Sequence, residues 1–102
     1  MKIKTIDVNA KEWFDKINGN SYFSAVITLN YGTKTAKEIY LPFQYGYGEH
    51  YIDIAGQELN KQGFIHLVRH NNGAYTPLWH YCRDNHIILR TSKKDNCLKK
   101  DL

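Results

Sequence analysis

Residues 21–45, SYFSAVITLNYGTKTAKEIYLPFQY, decide the fold. The first half, 21–31, alternates apolar and polar positions, as a half-buried strand does. The second half, 35–45, alternates again, and Gly32-Thr33-Lys34 forms a turn between the two. One face carries Phe23, Ala25, Ile27 and Leu29 in the first strand, and Ile39, Leu41, Phe43 and Tyr45 in the second. We therefore predict an antiparallel hairpin. Pro42 should make the second strand an edge or end it early, because proline donates no ladder hydrogen bond.

Upstream of the hairpin, the pattern predicts a short strand over residues 2–8 and then a short helix. Asn9 is the candidate N-cap with Glu12 at the N3 position, a variant of the capping box. The helical face, at i, i+3, i+4 and i+7, is Ala10, Trp13, Phe14 and Ile17. Gly19 is the predicted stop.

Downstream of the hairpin, four further elements are predicted. They are a helix over 49–62 ending at Gly63, a strand over 64–69, a helix from Thr76-Pro77 to about Asn85, and a strand over 86–90. The fold class is therefore α+β, with a mostly antiparallel sheet and two or three short helices. The first six elements match a ferredoxin-like β-α-β-β-α-β core, followed by a C-terminal helix and strand.

Length and charge limit the functional classes. A chain of 102 residues is expected to form one domain, placed at 1–92 with a basic C-terminal tail at 93–102. The net charge is +4, and residues 90–102 hold five basic and two acidic groups. Such a segment attracts phosphate backbones or acidic protein surfaces, or is simply a solvated terminus. No apolar run or signal-peptide pattern is visible, which predicts a cytoplasmic protein without membrane partners.

One candidate ligand site is the turn Tyr45-Gly46-Tyr47-Gly48, flanked by Gln44 and His50. A glycine-containing turn that enters a helix exposes backbone N–H groups suited to an anion. The turn matches neither the P-loop nor the dinucleotide-binding pattern. The alternative is a strand-to-helix turn whose glycines adopt positive φ.

A second candidate feature combines aromatic and basic residues. Eight tyrosines, four phenylalanines and two tryptophans accompany Arg69, Arg83 and Arg90. Aromatic rings stack on bases while guanidinium groups meet phosphates. The aromatic-glycine pattern of RNA-recognition motifs is absent, and aromatic residues also build cores in small domains.

The histidines and cysteines give no motif for a metal site or for catalysis. His66, His70, His80, His86 and Cys82 lie within 21 residues, but their spacing matches no zinc finger. Cys82 and Cys97 form no CxxC pair. We therefore predict a non-enzymatic protein without a metal or another cofactor.

The chain resembles small accessory proteins encoded by tailed bacteriophages. The resemblance rests on Glu12-Trp13-Phe14-Asp15, residues 18–23, Pro42–Gly48, residues 81–85, residues 88–91 and residues 96–100. It implies an accessory role in the cytoplasm of an infected bacterium, and it supplies no activity or functional residues.

Two functions follow as hypotheses. The first is binding of nucleic acid or a nucleotide through the tyrosine/glycine turn, the three arginines and the lysine-rich tail. The alternative is a protein-interaction module that inhibits a host defence enzyme or a nucleic-acid-processing enzyme, with the edge strand 35–45 extending a partner's sheet.

Overall fold

A four-stranded mixed sheet organises the computed structural model, which describes residues 2–102. Its strands are β1 (Thr5–Asp15), β2 (Asn20–Leu29), β3 (Lys37–Tyr45) and β4 (Ile88–Lys94). They lie in the order β3-β2-β1-β4. β1 and β3 are antiparallel to β2, whereas β4 runs parallel to β1. Together with two helices this is an α+β fold, and the predicted class is confirmed.

The helices α1 (His50–Lys61) and α2 (Leu78–Asp84) pack on the same face of the sheet. Ala55 and Leu59 of α1 and Leu78 and Cys82 of α2 are buried in one core with the sheet. The sheet contributes Ile6, Val8, Ala10, Phe23, Ala25, Ile27, Leu29, Ile39 and Leu41. Burial of each large apolar side chain contributes about 1.5–3 kcal/mol. The other side of the sheet, called the open face below, faces away from both helices.

The predicted helix over 10–17 is wrong, because β1 continues to Asp15 and pairs with β2 along ten positions. The chain reverses at residues 16–19, where Gly19 has a φ of +71°. The apolar spacing fits a short helix as well as a strand. A helix this short is marginal by itself, whereas pairing with β2 satisfies the backbone and buries Val8 and Ala10.

The hairpin predicted over 21–45 is confirmed by β2 and β3. β3 is an edge strand of the sheet, as Pro42 indicates.

One part of the hairpin prediction is wrong, because a β-bulge interrupts the register. The flanking pairs are Phe23 with Gln44 and Ala25 with Leu41. Between them β2 contributes one residue, whereas β3 contributes two, Pro42 and Phe43. The extra residue turns the following side chains over. Phe43 and Tyr45 therefore lie on the open face and not with Ile39 and Leu41 on the core face.

The predicted strand over 64–69 does not form. Its last residue, Arg69, makes an isolated antiparallel β-bridge with Tyr75. Ile65 and Leu67 are buried beside the helices, where the side chain of Asn60 accepts a hydrogen bond from the N–H of Leu67 at 2.9 Å. The segment packs against α1 instead of a sheet edge, so no strand ladder is available to it.

Two element boundaries also differ from prediction. α2 begins after Pro77, and the hydroxyl of Thr76 donates to the carbonyl of Val68 instead of capping the helix. β4 begins at Ile88, two residues later than predicted, because the positive φ of His86 does not fit a strand.

The ferredoxin-like order is not observed, because β1 joins β2 through a tight turn where that order requires a helix. The predicted domain boundary at residue 92 falls inside β4, which continues to Lys94. The predicted tail also contains the buried Cys97 and a short 3-10 helix, Lys99–Asp101. No helix in residues 2–102 is long and apolar enough to cross a membrane.

Candidate nucleic-acid interface

Four aromatic side chains from three neighbouring strands meet on the open face. This aromatic cluster consists of Trp13 of β1, Tyr22 of β2, and Phe43 and Tyr45 of β3. The centroids of Tyr22 and Phe43 are 5.0 Å apart with ring planes 12° apart, and those of Trp13 and Tyr22 are 5.7 Å apart at 27°. Tyr45 meets Tyr22 edge-on at 5.9 Å. Phe43 and Tyr45 keep 40% and 57% of their surface exposed, so the cluster offers apolar rings to solvent.

Lysines surround the aromatic cluster. The ammonium group of Lys99 lies 5.5 Å from the ring centroid of Trp13, within cation–π range. Lys11 and Lys94 are directly opposite each other in the β1–β4 register and both are exposed. Like charges directly opposite each other repel, and a bound anion relieves that repulsion.

The local folding of two segments builds the aromatic cluster. The turn at 16–19 places Trp13 opposite Tyr22 in the β1–β2 register. The bulge at Pro42 turns Phe43 and Tyr45 toward the same side of the sheet. Without that extra residue, strict alternation would place both rings in the core.

The predicted ligand turn is built into the fold at three points. Gly46 is buried, and its N–H donates to the carbonyl of Ser21 at 3.0 Å. A Cβ at Gly46 would lie 2.6 Å from the ring of Phe23, so the glycine is required by packing. The carbonyl of Gly48 accepts a hydrogen bond from the ammonium group of Lys93 at 3.1 Å. The carbonyl of Tyr47 accepts a hydrogen bond from the N–H of His50 at 3.2 Å.

Lys93 connects this turn to the sheet. Its ammonium group also lies 3.1 Å from Glu12 and 3.2 Å from Asp95. Burial would lower the pKa of Lys93, but the hydrogen bonds to Glu12 and Asp95 outweigh this effect, so the pKa is raised. Lys93 therefore stays charged and holds the turn that follows β3 against β1 and β4.

Gln44 and His50 flank the turn on the core side. Gln44 is half-buried opposite Phe23, and its amide donates to the carbonyl of Pro42 at 3.1 Å. The ring of His50 meets Phe23 edge-on at 6.3 Å. His50 also lines a groove of about 450 Å³ with Asp53, Tyr75 and Leu78, away from the aromatic cluster.

The three candidate arginines lie on separate elements, each with a neighbour of its own. Arg69 lies 5.8 Å from the ring of Tyr75 in the loop before α2. Arg90 is on the open face of β4, with two hydrogen bonds to Asp7 at 2.7 and 2.9 Å that raise its pKa. The remaining one, Arg83 of α2, pairs with Asp84 at 3.2 Å and lies 5.4 Å from the ring of Trp79. Of the predicted site residues, the structure thus brings only Tyr45 into the aromatic cluster.

The histidine-rich segment lines a groove beside α2. Its walls include His66, His70 and His80. His70 hydrogen-bonds Thr76 at 3.3 Å, and His80 lies 3.1 Å from Asp84. Among residues 2–102, no group of three or more histidine, cysteine or acidic side chains is placed to hold a metal ion.

Both cysteines are free and buried. Burial raises the pKa of the Cys82 thiol to about 11. A thiol in this state carries almost no thiolate near neutral pH, so it is a poor nucleophile.

Sequence reasoning missed Trp13, Tyr22 and Phe43 as site residues. Two signals were available for the first pair. Residues 6–11 alternate strictly between apolar and polar, and Asn18-Gly19 is the dipeptide typical of a hairpin turn. The outward position of Phe43 depends on the bulge at Pro42, and proline inside a strand fits an edge strand as well as a bulge, so the sequence does not choose between them.

Comparison of the chain with protein-family models, with curated proteins and with solved structures gives no match.

Proposed function

We propose that this protein binds single-stranded nucleic acid on the open face of its sheet. The observation that carries the proposal is the aromatic cluster, exposed on the helix-free side and bordered by Lys11, Lys94 and Lys99. Aromatic rings offer a stacking surface to bases of any sequence, and lysines meet the phosphates. Bases are available for stacking in a single strand, whereas a duplex hides them.

A purely structural role does not account for the whole cluster. Cross-strand aromatic pairs stabilise a sheet by about 0.2–1 kcal/mol each, and this explains why the rings touch. It does not explain why Phe43 and Tyr45 are turned outward at an edge strand and left 40% and 57% exposed. Exposed aromatic groups beside cationic side chains are typical of binding surfaces.

The test is a titration with a fluorescent single-stranded oligonucleotide of about 12 nucleotides, long enough that its length does not limit the contacts with the open face. Phe43→Ala and Tyr45→Ala should each weaken binding, because one stacked base contributes about 1–3 kcal/mol, or roughly 5- to 150-fold in Kd. The matched control is Tyr31→Ala, since Tyr31 is 70% exposed but lies at the other end of the β2–β3 hairpin. Equal losses for all three variants, or equal affinity for a duplex, would contradict the proposal.

Fluorescence of Trp13 provides a second readout. Trp79 is the other tryptophan and lies on α2, so Trp79→Phe leaves Trp13 as the sole reporter. Stacking of a base should quench Trp13 in this variant. Three lysine contacts predict a slope of about −2 when log K is plotted against log salt, from the counterion release of single strands.

A protein-docking function is the second candidate, favoured by an exposed surface on α2. Trp79 is 56% exposed, stacks on His80 with centroids 5.4 Å apart and carries Arg83 over its ring. Tryptophan and arginine are the residue types that dominate interface energetics. A protein partner that is lost with Trp79→Ala but retained with Phe43→Ala would support this function.

A further inference from the structure

The C-terminal segment, residues 95–102, crosses the open face next to the aromatic cluster. It leaves β4 at Lys94 and is fixed at Cys97, whose N–H donates to the carbonyl of Glu12 at 3.0 Å. The Cys97 thiol is buried and donates to the carbonyl of Lys94 at 3.3 Å. The segment is therefore a packed part of the fold and passes from the β4 edge toward β1.

The tip of the segment is held in a closed turn. The N–H of Leu98 donates to the carboxylate of Asp101 at 2.9 Å, and the N–H of Asp101 donates back to the carbonyl of Leu98 at 2.9 Å. The first bond is the half of a capping box in which the N3 carboxylate accepts from the N-cap N–H, and the second is the backbone bond of the 3-10 helix itself. The turn presents Lys99 to Trp13 and directs Leu102 onto the sheet.

The position of the tip is defined by a small cavity of about 100 Å³ between the segment and the sheet. Asp101 and Leu102 line it together with Asn9, Lys11, Ser24, Val26 and Tyr40. Asn9, Val26 and Tyr40 are paired neighbours and form one row across β1, β2 and β3. Ser24 alternates with Val26 on the open face but is only 4% exposed, as expected for a residue under a cover.

The segment therefore divides the open face into two parts. The aromatic cluster occupies the end near the 16–19 turn. The other end holds the Arg90–Asp7 ion pair, beyond the row that the segment covers. A strand of nucleic acid cannot lie along the whole face while Leu102 occupies that row.

We infer that the C-terminal segment sets the number of nucleotides the site accepts, and this inference rests on the proposed function. With the segment in place, bound bases are confined to the aromatic cluster, which suits about two or three nucleotides, as on other aromatic sheet platforms. Without it, the nucleic-acid strand extends along β3 to Tyr40, the β3 member of the covered row, whose ring is 59% exposed. The segment thus limits the site to a short stretch of single strand.

The experiment measures Kd against oligothymidylate length, from two to about ten nucleotides, for the full chain and for a chain lacking residues 98–102. Retaining Cys97 preserves its hydrogen bond to Glu12 and its packing. For the full chain, affinity should stop improving beyond about three nucleotides. For the shortened chain, it should improve about tenfold more before levelling off, the effect of one further stacked base.

Two variants separate the length effect from charge and from folding. Lys99→Gln with Lys100→Gln retains the segment but removes its two positive charges, so it should weaken binding to oligonucleotides of every length. It should leave unchanged the levelling length, which is the oligonucleotide length beyond which affinity stops improving. Leu102→Gly retains the backbone and the charges but uncovers the central row, so it should move the levelling length in the same direction as the deletion.

Tyr40→Ala gives the sharpest contrast. It should leave the dependence of Kd on oligonucleotide length unchanged in the full chain. In the chain lacking residues 98–102, it should reduce the length at which affinity stops improving. If removal of the segment leaves the levelling length where it was, the inference is overturned while the proposed function stands. If neither chain binds any oligonucleotide at low salt, the proposed function is overturned, and the inference with it.

Discussion

The two faces of the sheet differ in the regularity of their pattern of buried and exposed residues. On the core face, every second residue of β1 and β2 from Ile6 to Ala10 and from Phe23 to Leu29 is less than 5% exposed. On the open face, exposed rings lie at one end, an ion pair lies at the other, and the C-terminal segment covers the middle. The pattern of the core face is regular because every second side chain along those stretches of β1 and β2 is buried against the helices. The open face is shaped by a bulge and by a distant segment, so its pattern is irregular.

Two phenylalanines on opposite faces of the sheet should differ most in their contribution to stability. Phe23→Ala should lower the free energy of unfolding by about 3–5 kcal/mol, because Phe23 is 1% exposed and its removal leaves a cavity. Phe43→Ala should cost about 1 kcal/mol or less, since it removes only cross-strand ring contacts. Urea denaturation of both variants measures the difference. Similar losses would mean that the aromatic cluster is a second core.

The glycine at the end of β3 tests whether the tyrosine/glycine turn belongs to the core face. Gly46→Ala should destabilise the fold by about 1–3 kcal/mol, because the added methyl group meets the Phe23 ring and overpacking has this typical cost. Thermal unfolding measures the loss, and the oligonucleotide titration should show unchanged binding at temperatures where the variant is folded. If Gly46→Ala lost oligonucleotide binding while it kept its full stability, the turn would belong to the ligand site.

β4 carries one basic residue in an ion pair on each face of the sheet, Lys93 on the core face and Arg90 on the open face, so their contributions to stability can be compared. Lys93 is 18% exposed and links Glu12, Asp95 and the carbonyl of Gly48, so Lys93→Met should cost about 1–2 kcal/mol. Arg90 is 55% exposed in its ion pair with Asp7, and water screens that pair, so Arg90→Met should cost less. Chemical denaturation at low and high salt distinguishes them, because only the Arg90 effect should fade strongly with salt. The reverse order would show that the open-face ion pair is the stronger constraint.

The smallest effect is expected at the turn that joins β1 and β2. The side chain of Asn18 donates to Asp15 at 2.8 Å, and this bond is the main reason that the pKa of Asp15 is lowered. A lowered folded-state pKa gives stability that is present above the unfolded value of 3.8 and is lost as pH falls through the folded value. Wild type should therefore lose more stability than Asp15→Asn when pH is lowered below about 4. Parallel pH profiles for the two chains would contradict this account.

The sequence predicts the parts of the molecule that depend on local signals. The β2–β3 hairpin, the helix α1 and its stop at Gly63 follow from alternation, helical spacing and the glycine itself, whose φ in the structure is +84°. The strand β1 was predicted too short, because Trp13, Phe14 and Ile17 also fit a helix. The alternation over residues 6–11 and Asn18-Gly19 favour the strand, and pairing with β2, which is a contact between separate segments, completes the choice.

The candidate site was less predictable than the fold. Tyr45 was expected in a ligand site and lies in the aromatic cluster, whereas Trp13, Tyr22 and Phe43 reach it through register and a bulge. The lysines of the last ten residues were expected in a basic tail. In the structure, Lys93 and Lys94 lie in β4, and Lys99 lies over an aromatic ring 86 positions earlier in the chain.

By itself, the sequence determined the α+β class, the edge position of β3 and the apolar face that the helices cover, because each depends on residues close together in the chain. The tertiary structure alone decided the parallel pairing of β4 with β1, the outward rotation of Phe43 and Tyr45, and the path of residues 95–102 across the sheet. These features depend on backbone hydrogen bonds and packing between distant segments. Such contacts form only when the whole core has assembled, so no local pattern encodes them.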